Sequence, residues 1–354
     1  MKQFISIIAV MIFSTGVFAQ DLKYSQFYHN KMLLNPAYTG LSKSLDITAH
    51  HRQQWMGVGD GNLFQSDVVS VDYGLSRKSS GHYGSGLGAG IIYQSSKTGT
   101  SAFTTREIGI QVASDAPRIG KERHGFMMQF PVGISFSYLN QSFDYSDLIF
   151  SDNLDPVLGY IPGGSSIPAG ISQQAKAEYL SLGFGGLIGM KLKRQAAHTH
   201  YLSIGYAYKR YVDKPGTENS YSLPPQWKLH ALYHQPIGDM VISPGYIYDR
   251  RGDFTTRTFG MQGSFIQGIT LGLWLRNQNT KLISASYSDL IMNVTWDYQM
   301  FRFGYSYDMT ISSLSNSSSK GTHELFVRIS LYNDKTRREN KRRENSTCFF
   351  QGLN

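Results

Sequence analysis

Residues 301–308 read Phe-Arg-Phe-Gly-Tyr-Ser-Tyr-Asp, with an aromatic ring at every odd position and a polar residue or glycine at every even one. Successive side chains of a β-strand point to opposite faces of the sheet. One face of this stretch is therefore aromatic, and the other is small or charged. The stretch predicts a β-strand whose two faces meet different surroundings.

The same two-residue period recurs along the chain in about fourteen segments. In one of them Leu325, Val327 and Ile329 alternate with Phe326 and Arg328. The segments cover residues 43–55, 62–75, 82–97, 100–114, 123–140, 175–192, 199–213, 221–236, 239–250, 254–267, 269–277, 288–297, 300–311 and 321–333.

Two architectures explain such strands. In a soluble sandwich the apolar face points to a core, whereas in an outer-membrane barrel it points to lipid and the lumen holds glycine, serine and charges. Three features favour the barrel: the number of segments, the Tyr and Phe residues near strand ends, and connections whose length alternates. We therefore predict an all-β fold, an antiparallel transmembrane outer-membrane β-barrel of about fourteen strands, within a range of about twelve to sixteen.

The first residues predict export. Lys2 precedes a mostly apolar run from Phe4 to Phe13, and Val17 and Ala19 stand where a signal peptidase needs small residues. A membrane anchor is the alternative, but the run is shorter than the roughly 20 residues that span a bilayer. We predict a signal peptide over residues 1–19, a periplasmic or plug-like segment over 20–42, a barrel over 43–333 and a basic periplasmic tail over 334–354.

An even number of strands places both termini in the periplasm, with short turns on that side and longer loops outside. Residues 141–174 form the longest predicted external loop. Its spaced aspartates do not match the calcium-binding pattern of an EF-hand, so we interpret it as a solvated loop. Long loops on a rigid scaffold commonly bind partners.

The composition narrows the class of protein further. Of the 354 residues only 17% are charged, against roughly 25% in an average soluble domain. Cys348 is the one cysteine, which excludes an internal disulfide framework and any multi-cysteine metal site. The formal net charge of +9 would suit nucleic acid, but we expect no nucleic-acid partner for an exported chain. The tail is either a solvated extension or a docking segment for an acidic periplasmic partner, with Arg337, Arg338, Arg342 and Arg343 as its candidate contacts.

Catalytic motifs are missing from the sequence. It contains no G-x-S-x-G elbow, no phosphate-binding G-x-x-x-x-G-K-[ST] loop and no H-E-x-x-H zinc motif. The pair His50-His51, with His198 and His200, offers possible metal ligands, but exposed or lumen-lining histidines are the favoured interpretation. The sequence thus predicts a protein that is not an enzyme and that has no cofactor, no metal and no catalytic residues.

The mature N-terminus resembles the start of the PorP/SprF family, outer-membrane proteins associated with type IX secretion and gliding motility in Bacteroidetes. The similarity begins with Tyr24-Ser25-Gln26-Phe27-Tyr28 and continues through Leu34-Asn35-Pro36-Ala37-Tyr38-Thr39-Gly40 and Arg52-Gln53-Gln54-Trp55. Short motifs near the other end resemble the closing strands of the family in order: 244–246, 253–254, 272–276, 304–308 and 321–325. The family often has Cys-Pro near its end, where this chain has Cys348-Phe349.

The resemblance implies a non-enzymatic protein that acts with large secreted surface proteins, often adhesins, and with periplasmic components of the secretion apparatus. It marks as possible interaction residues Asn35, Pro36, Ala37, Gly40, Arg52, Gln54, Trp55, Tyr305, Tyr307, Asp308, His323 and Glu324. Residues 24–40 are then expected to pack at the periplasmic mouth or partly inside the barrel, near Arg52 and Trp55. A plain linker before the first strand is the alternative.

The predicted function is therefore a non-catalytic accessory of type IX secretion and gliding, surrounded by outer-membrane lipid, that binds or anchors a secreted adhesin. A porin-like passive channel for small solutes is the alternative, because glycine-rich lumen faces permit a pore. A barrel enzyme is a third class, which no motif supports.

Overall fold

The computed structural model describes residues 23–42, 44–57, 64–75, 86–99, 103–114, 118–121, 125–144, 154–155, 159–160, 174–195, 198–217, 222–238, 240–265, 268–280, 286–311 and 320–331. Fourteen long strands of this described part form one barrel wall. They are β1 (Leu45–Gln54), β2 (Phe64–Leu75), β3 (Leu87–Thr98), β4 (Phe103–Ser114), β7 (Val132–Asp144), β10 (Gln174–Gln195), β11 (His198–Asp213), β12 (Gln226–Ile237), β13 (Met240–Arg251), β14 (Phe254–Phe265), β15 (Ile269–Thr280), β16 (Ser286–Tyr298), β17 (Phe301–Thr310) and β18 (Thr322–Leu331). Four short strands complete the set: β5 (Arg118–Lys121), β6 (Phe126–Gln129), β8 (Leu154–Asp155) and β9 (Gly159–Tyr160).

The wall closes on itself. Each long strand pairs antiparallel with the next, and β18 returns to β1 in a register that runs from Leu45 opposite Leu331 to Gln54 opposite Thr322. Closure removes the unpaired strand edges that would otherwise expose backbone polar groups to lipid. The prediction of an antiparallel barrel of about fourteen strands is confirmed.

The two faces of the wall differ as the alternation predicts. Leu182 and Ile134, on the outer face, are 66% and 62% exposed, whereas Ser203, Ser306 and Glu324, on the inner face, are completely buried. The outer surface is thus an apolar band suited to lipid, whereas the inner face carries many buried polar side chains.

The two ends of the barrel also differ. At one end, here named the terminal end, β1 begins, β18 ends, and the short turn 299–300 joins β16 to β17. At the other end, here named the loop end, residues 145–173 connect β7 to β10, and β8 and β9 pair as a small hairpin within that connection.

Some boundaries differ from the predicted segments. The segment predicted over 123–140 is two strands, β6 and β7, interrupted at Phe130-Pro131, because proline has no N–H to donate to the ladder. β7 then continues to Asp144, so the long connection begins later than residue 141. β12 begins at Gln226 rather than near 221, because Pro224-Pro225 precedes it.

The described stretch before β1 lies inside the lumen. This stretch, residues 23–42, is named the plug and contains the helix α1 (Lys31–Leu34) and a 3₁₀ turn (Pro36–Tyr38). Tyr28, Ala37 and Thr39 are almost completely buried in it. No helix in the described part combines the length and the apolar character that crossing a membrane requires.

Candidate functional site

The plug runs along the lumen from the loop half to the terminal end. Lys23 Nζ lies 2.6 Å from Asp249 Oδ2, and Asp249 is the third residue from the loop end of β13. Further along the plug, the amide of Gly40 donates to Asp72 Oδ2 over 2.8 Å, near the terminal end of β2. The plug is therefore held at both of its ends by carboxylates of the wall.

A buried carboxylate binds the main chain at the start of the plug. Glu324 on β18 accepts hydrogen bonds from the backbone N–H groups of Ser25 over 2.6 Å and of Gln26 over 3.0 Å. Glu324 also contacts the buried His50 on β1, whose Nδ1 lies 3.2 Å from Oε1. Charge-assisted bonds to backbone N–H groups fix the position of the chain as well as stabilising it.

Two arginines and a second carboxylate complete this group. Arg52 Nη1 lies 2.9 Å from Asp308 Oδ2 and 3.3 Å from Glu324 Oε2, and Arg276 Nη1 lies 3.3 Å from Asp308 Oδ2. Arg52 and Arg276 also donate to the hydroxyl oxygen of Ser25. The set Ser25, His50, Arg52, Arg276, Asp308 and Glu324 is named the anchor cluster.

Burial makes the anchor cluster costly to disrupt. The side chains of Arg52, Asp308 and Glu324 are 4%, 1% and 0% exposed. Charges removed from water need both a counter-charge and hydrogen bonds, and loss of one partner leaves an uncompensated buried charge. Ser25 supplies part of that hydrogen bonding, so the plug and the wall stabilise each other.

Asn35 fixes the middle of the plug to the opposite wall. Its side-chain amide donates to the carbonyl oxygens of Gly186 over 3.1 Å and Tyr206 over 3.0 Å, and its Oδ1 accepts from the amide of Ala37 over 2.9 Å. The last bond begins the 3₁₀ turn at Pro36. One side chain thus shapes the plug and binds it to β10 and β11.

Glycines on the inner face let the plug approach the wall closely. A Cβ atom at Gly185 would lie 1.9 Å from Asn35 Oδ1, and one at Gly88 would lie 2.0 Å from the carbonyl oxygen of Thr39. Any larger residue at these positions would collide with the plug. The glycine-rich strands therefore match the plug in shape.

Apolar contacts fill the centre of the lumen. Trp274 on β15 is almost fully buried, with Phe27 packed edge-on and Tyr28 stacked at centroid distances of 5.3 Å and 5.8 Å. Leu34 and Tyr38 belong to the same buried cluster. Side chains of the plug and of the wall thus form one hydrophobic core, and this core fills the centre of the lumen.

Above the plug, toward the loop end, lies a cavity of about 900 Å³, named the chamber. Its base includes Lys23 and Leu33 of the plug, and its upper rim includes Phe103, Phe143 and Phe254 at the loop ends of their strands. On its wall the buried Glu107 accepts from Lys209 and from Gln94. Cavities of this size hold small molecules or short peptides.

The structure brings together some of the residues singled out in the sequence. Arg52, Asp308 and Glu324 meet in the anchor cluster, and Asn35, Pro36, Ala37 and Gly40 lie in the plug. Tyr305 and Tyr307 are on the outer face beside His323, with Tyr305 Oη 2.7 Å from His323 Nδ1. Gln54 ends β1 and Trp55 packs edge-on against Phe64 at the loop end. Arg337, Arg338, Arg342, Arg343, Cys348 and most of the loop 141–174 lie outside the described residues.

The histidines considered as metal ligands point in different directions. His50 belongs to the anchor cluster, His51 pairs with Asp67 on the outer surface, and His200 Nδ1 lies 2.8 Å from Tyr233 Oη. The side chain of His198 lies outside the described part. Nowhere in the described ranges do three or more His, Cys, Asp or Glu side chains gather closely enough to hold a metal ion.

A family model described as type IX secretion system membrane protein PorP/SprF matches residues 16–329. The match includes the plug, the anchor cluster and every barrel strand up to β18. The chain belongs to the PorP/SprF family. This PorP/SprF protein is thus an outer-membrane barrel of the type IX secretion system, as the motifs predicted.

Solved structures resemble this PorP/SprF protein only in outline. The Pseudomonas putida toluene transporter TodX is 13% identical with a TM-score of 0.43, over 86% of this chain and 94% of that one. The Acinetobacter baumannii outer membrane protein Omp33 is 10% identical with a TM-score of 0.40, over 83% and 100%. BamA from Haemophilus ducreyi lacking POTRA domains 1-3 is 9% identical with a TM-score of 0.38, over 81% and 70%. At this similarity the matches say nothing about function. No curated protein matches the PorP/SprF chain in sequence.

Three members of the anchor cluster, Ser25, His50 and Arg276, were missing from the predicted interaction residues of this PorP/SprF protein, and His50 was considered only as a possible metal ligand. Arg276 alternates with Leu273 and Leu275, so its inward position was visible, but nothing in the sequence paired it with Asp308. Ser25 stands in a segment without strand periodicity, and its contacts involve residues up to 283 positions away. The sequence signal that could have identified part of the cluster was Arg276, a charged residue within an otherwise apolar strand.

Proposed function

We propose that this protein is a non-catalytic receptor of type IX secretion and gliding, which binds or anchors a secreted surface protein such as an adhesin at the loop end of the barrel. The observation that carries the proposal is the plug. A lumen filled by residues 23–42 and fixed by a buried charge cluster suits a binding protein better than an open conduit.

The loop end is the proposed binding side. Residues 145–173 between β7 and β10 form the longest connection there, and the chamber lies beneath the same end. Long connections on a rigid closed wall provide contact area without disturbing the fold. In outer-membrane barrels the end with the longer connections faces outward and the end with the short turns faces the periplasm.

The terminal end is the proposed contact side for periplasmic secretion components. β18 ends there at Leu331, and the basic residues Arg337, Arg338, Arg342 and Arg343 follow it in the sequence. Clustered cations would attract an acidic partner, and this attraction should weaken with salt.

A porin-like channel for small solutes is the competing function. It requires a continuous water path, and the plug occupies the lumen below the chamber with Tyr28, Ala37 and Tyr38 buried between the walls. The same segment would have to leave the lumen before solutes could pass. We therefore expect little steady conductance from the native protein.

Removal of the long connection tests the receptor function. A short turn replaces residues 147–171 in one strain, and a short turn replaces residues 313–319 in the control strain. We expect the first change to abolish surface display of the adhesin while heat-modifiable gel mobility shows a folded barrel. Normal adhesin display in a strain that lacks the whole protein would contradict the proposal.

A further inference from the structure

We propose that the chamber is the seat of the mature N-terminus, so that the N-terminus is presented at the loop end while β18 ends at the opposite one. The residues concerned are Gln20, Asp21 and Leu22, which precede the plug once the predicted signal peptide is removed. The inference gives the direction in which the chain enters the barrel, and it adds residues 20–22 to the surface of the loop end.

The direction of the chain at Lys23 is fixed by its neighbours. Arg276 Nη2 donates to the carbonyl oxygen of Tyr24 over 3.1 Å, and Glu324 binds the next two backbone amides. Lys23 itself reaches Asp249, near the loop end of β13. Residues 23–26 are thus held in the loop half of the lumen. Lys23, the first described residue, lies on the side of the chamber.

The chamber adjoins the start of the plug. Toward the terminal end, the plug residues 27–42 are packed against the wall around Trp274. Toward the loop end, Lys23 and Tyr24 line the chamber. A residue is at most about 3.5 Å long in an extended chain, so three residues reach about 10 Å and end within or just above the chamber.

The chemistry of the chamber matches the three residues. Its charged lining has five cationic side chains (Lys23, Lys209, Lys228, Arg251 and Arg276) and three acidic ones (Glu107, Asp249 and Asp253). This excess of positive charge favours the carboxylate of Asp21. The apolar side chains of Phe27, Leu139 and Phe143 in the same lining offer contacts to Leu22.

The uncleaved chain would not fit this arrangement. Nineteen more residues would extend the chain by up to about 65 Å. A chamber of about 900 Å³ has no room for them beside residues 20–22. We therefore expect signal-peptide removal to precede docking of the plug. The free α-amino group then adds a positive charge to the surface that faces a bound partner.

Cysteine labelling on intact cells tests the topology. In a Cys348→Ser background, Asp21→Cys is compared with Asp253→Cys, an exposed residue of the loop end, and Met300→Cys, an exposed residue of a terminal-end turn. With a membrane-impermeant maleimide we expect Asp21→Cys to react within about ten-fold of the rate of Asp253→Cys, while Met300→Cys reacts only after the outer membrane is permeabilised. If Asp21→Cys behaves like Met300→Cys, or reacts only after denaturation, the inference is wrong.

A second measurement tests the occupant of the chamber. Thr105→Cys, whose side chain lines the chamber, is labelled in the full mature chain and in a chain that lacks residues 20–22. We expect the deletion to raise the labelling rate several-fold, while Asn279→Cys, an exposed residue near the loop end of β15 and outside the chamber lining, reacts at an unchanged rate. Heat-modifiable gel mobility verifies that each variant is folded. An unchanged rate at Thr105→Cys would mean that the chamber is empty or holds another ligand, and would overturn the inference.

Discussion

Arg52 Nη1 lies 2.9 Å from Asp308 Oδ2, although 256 positions separate the two residues in the chain. Arg52 is near the end of the first barrel strand, Asp308 is on β17, and β18 closes the barrel between them. Ser25 of the plug binds to both side chains. Closure of the barrel and filling of its lumen therefore depend on the same cluster of charges.

Replacement of Asp308 by alanine should destabilise the barrel. Arg52 and Arg276 would lose a shared buried counter-charge, and loss of one partner from a buried pair costs about 3–5 kcal/mol. We expect the free energy of unfolding, measured by urea titration in detergent micelles, to fall by about that amount.

Asp67 offers the matched control for Asp308. It pairs with His51 over 2.7 Å on the exposed outer surface, where an ion pair contributes about 0–1 kcal/mol. Asp67→Ala should therefore leave the free energy of unfolding almost unchanged. If the free energy of unfolding fell equally in Asp308→Ala and Asp67→Ala, burial of the anchor cluster would contribute nothing to the stability of the barrel.

Addition of a side chain at Gly185 should expel the plug. A Cβ atom there would lie 1.9 Å from Asn35 Oδ1, whereas one at the neighbouring Gly186 would meet no atom within 4 Å. We expect trypsin to cut after Lys31 of the plug in folded Gly185→Val but not in folded Gly186→Val. Protection of Lys31 in both variants would mean that the plug tolerates the collision.

Conversion of Asn35 to aspartate should release the middle of the plug. The new carboxylate has no N–H to donate to the carbonyl oxygens of Gly186 and Tyr206, and it would face both oxygens without a hydrogen bond. An unsatisfied buried polar group costs about 1–3 kcal/mol, and more when it is charged. Faster hydrogen exchange at the amide of Ala37 is the expected readout.

The corresponding change at an exposed site is Asn279→Asp, near the loop end of β15. It should leave exchange at Ala37 unchanged. If Asn35→Asp has no effect either, the bonds of Asn35 to β10 and β11 do not hold the plug.

The strands of the wall could be predicted from the sequence because alternate side chains of a barrel strand face lipid and lumen, and their residue types alternate accordingly. The run at 301–308 predicted β17 (Phe301–Thr310) almost to its ends, and the inward position of Trp274 followed from its leucine neighbours. Two of the boundaries that failed lie beside prolines, at Pro131 and Pro224, where a missing N–H interrupts the ladder. The end of β7 at Asp144, later than predicted, has no proline beside it.

The plug was not readable in the same way. Its residues have no common period, and they are held by different sets of strands. Ser25 contacts β1, β15, β17 and β18, Asn35 contacts β10 and β11, and Gly40 contacts β2. Such contacts form only in the closed barrel. The sequence of the plug therefore shows no periodic pattern from which they could be predicted. The glycines at positions 88 and 185 were visible, but their purpose became clear only beside the plug.

Single-channel recording tests the central claim, that the plug closes the barrel, most directly. The mature chain and a variant without residues 20–42 are inserted into planar bilayers, with Gly185→Val as a full-length second variant. We expect a near-zero steady conductance from the mature chain and discrete open-channel steps from both variants. Heat-modifiable gel mobility verifies that all three proteins are folded. A large, stable conductance from the mature chain, equal to that of the deletion variant, would contradict the account and favour a solute channel.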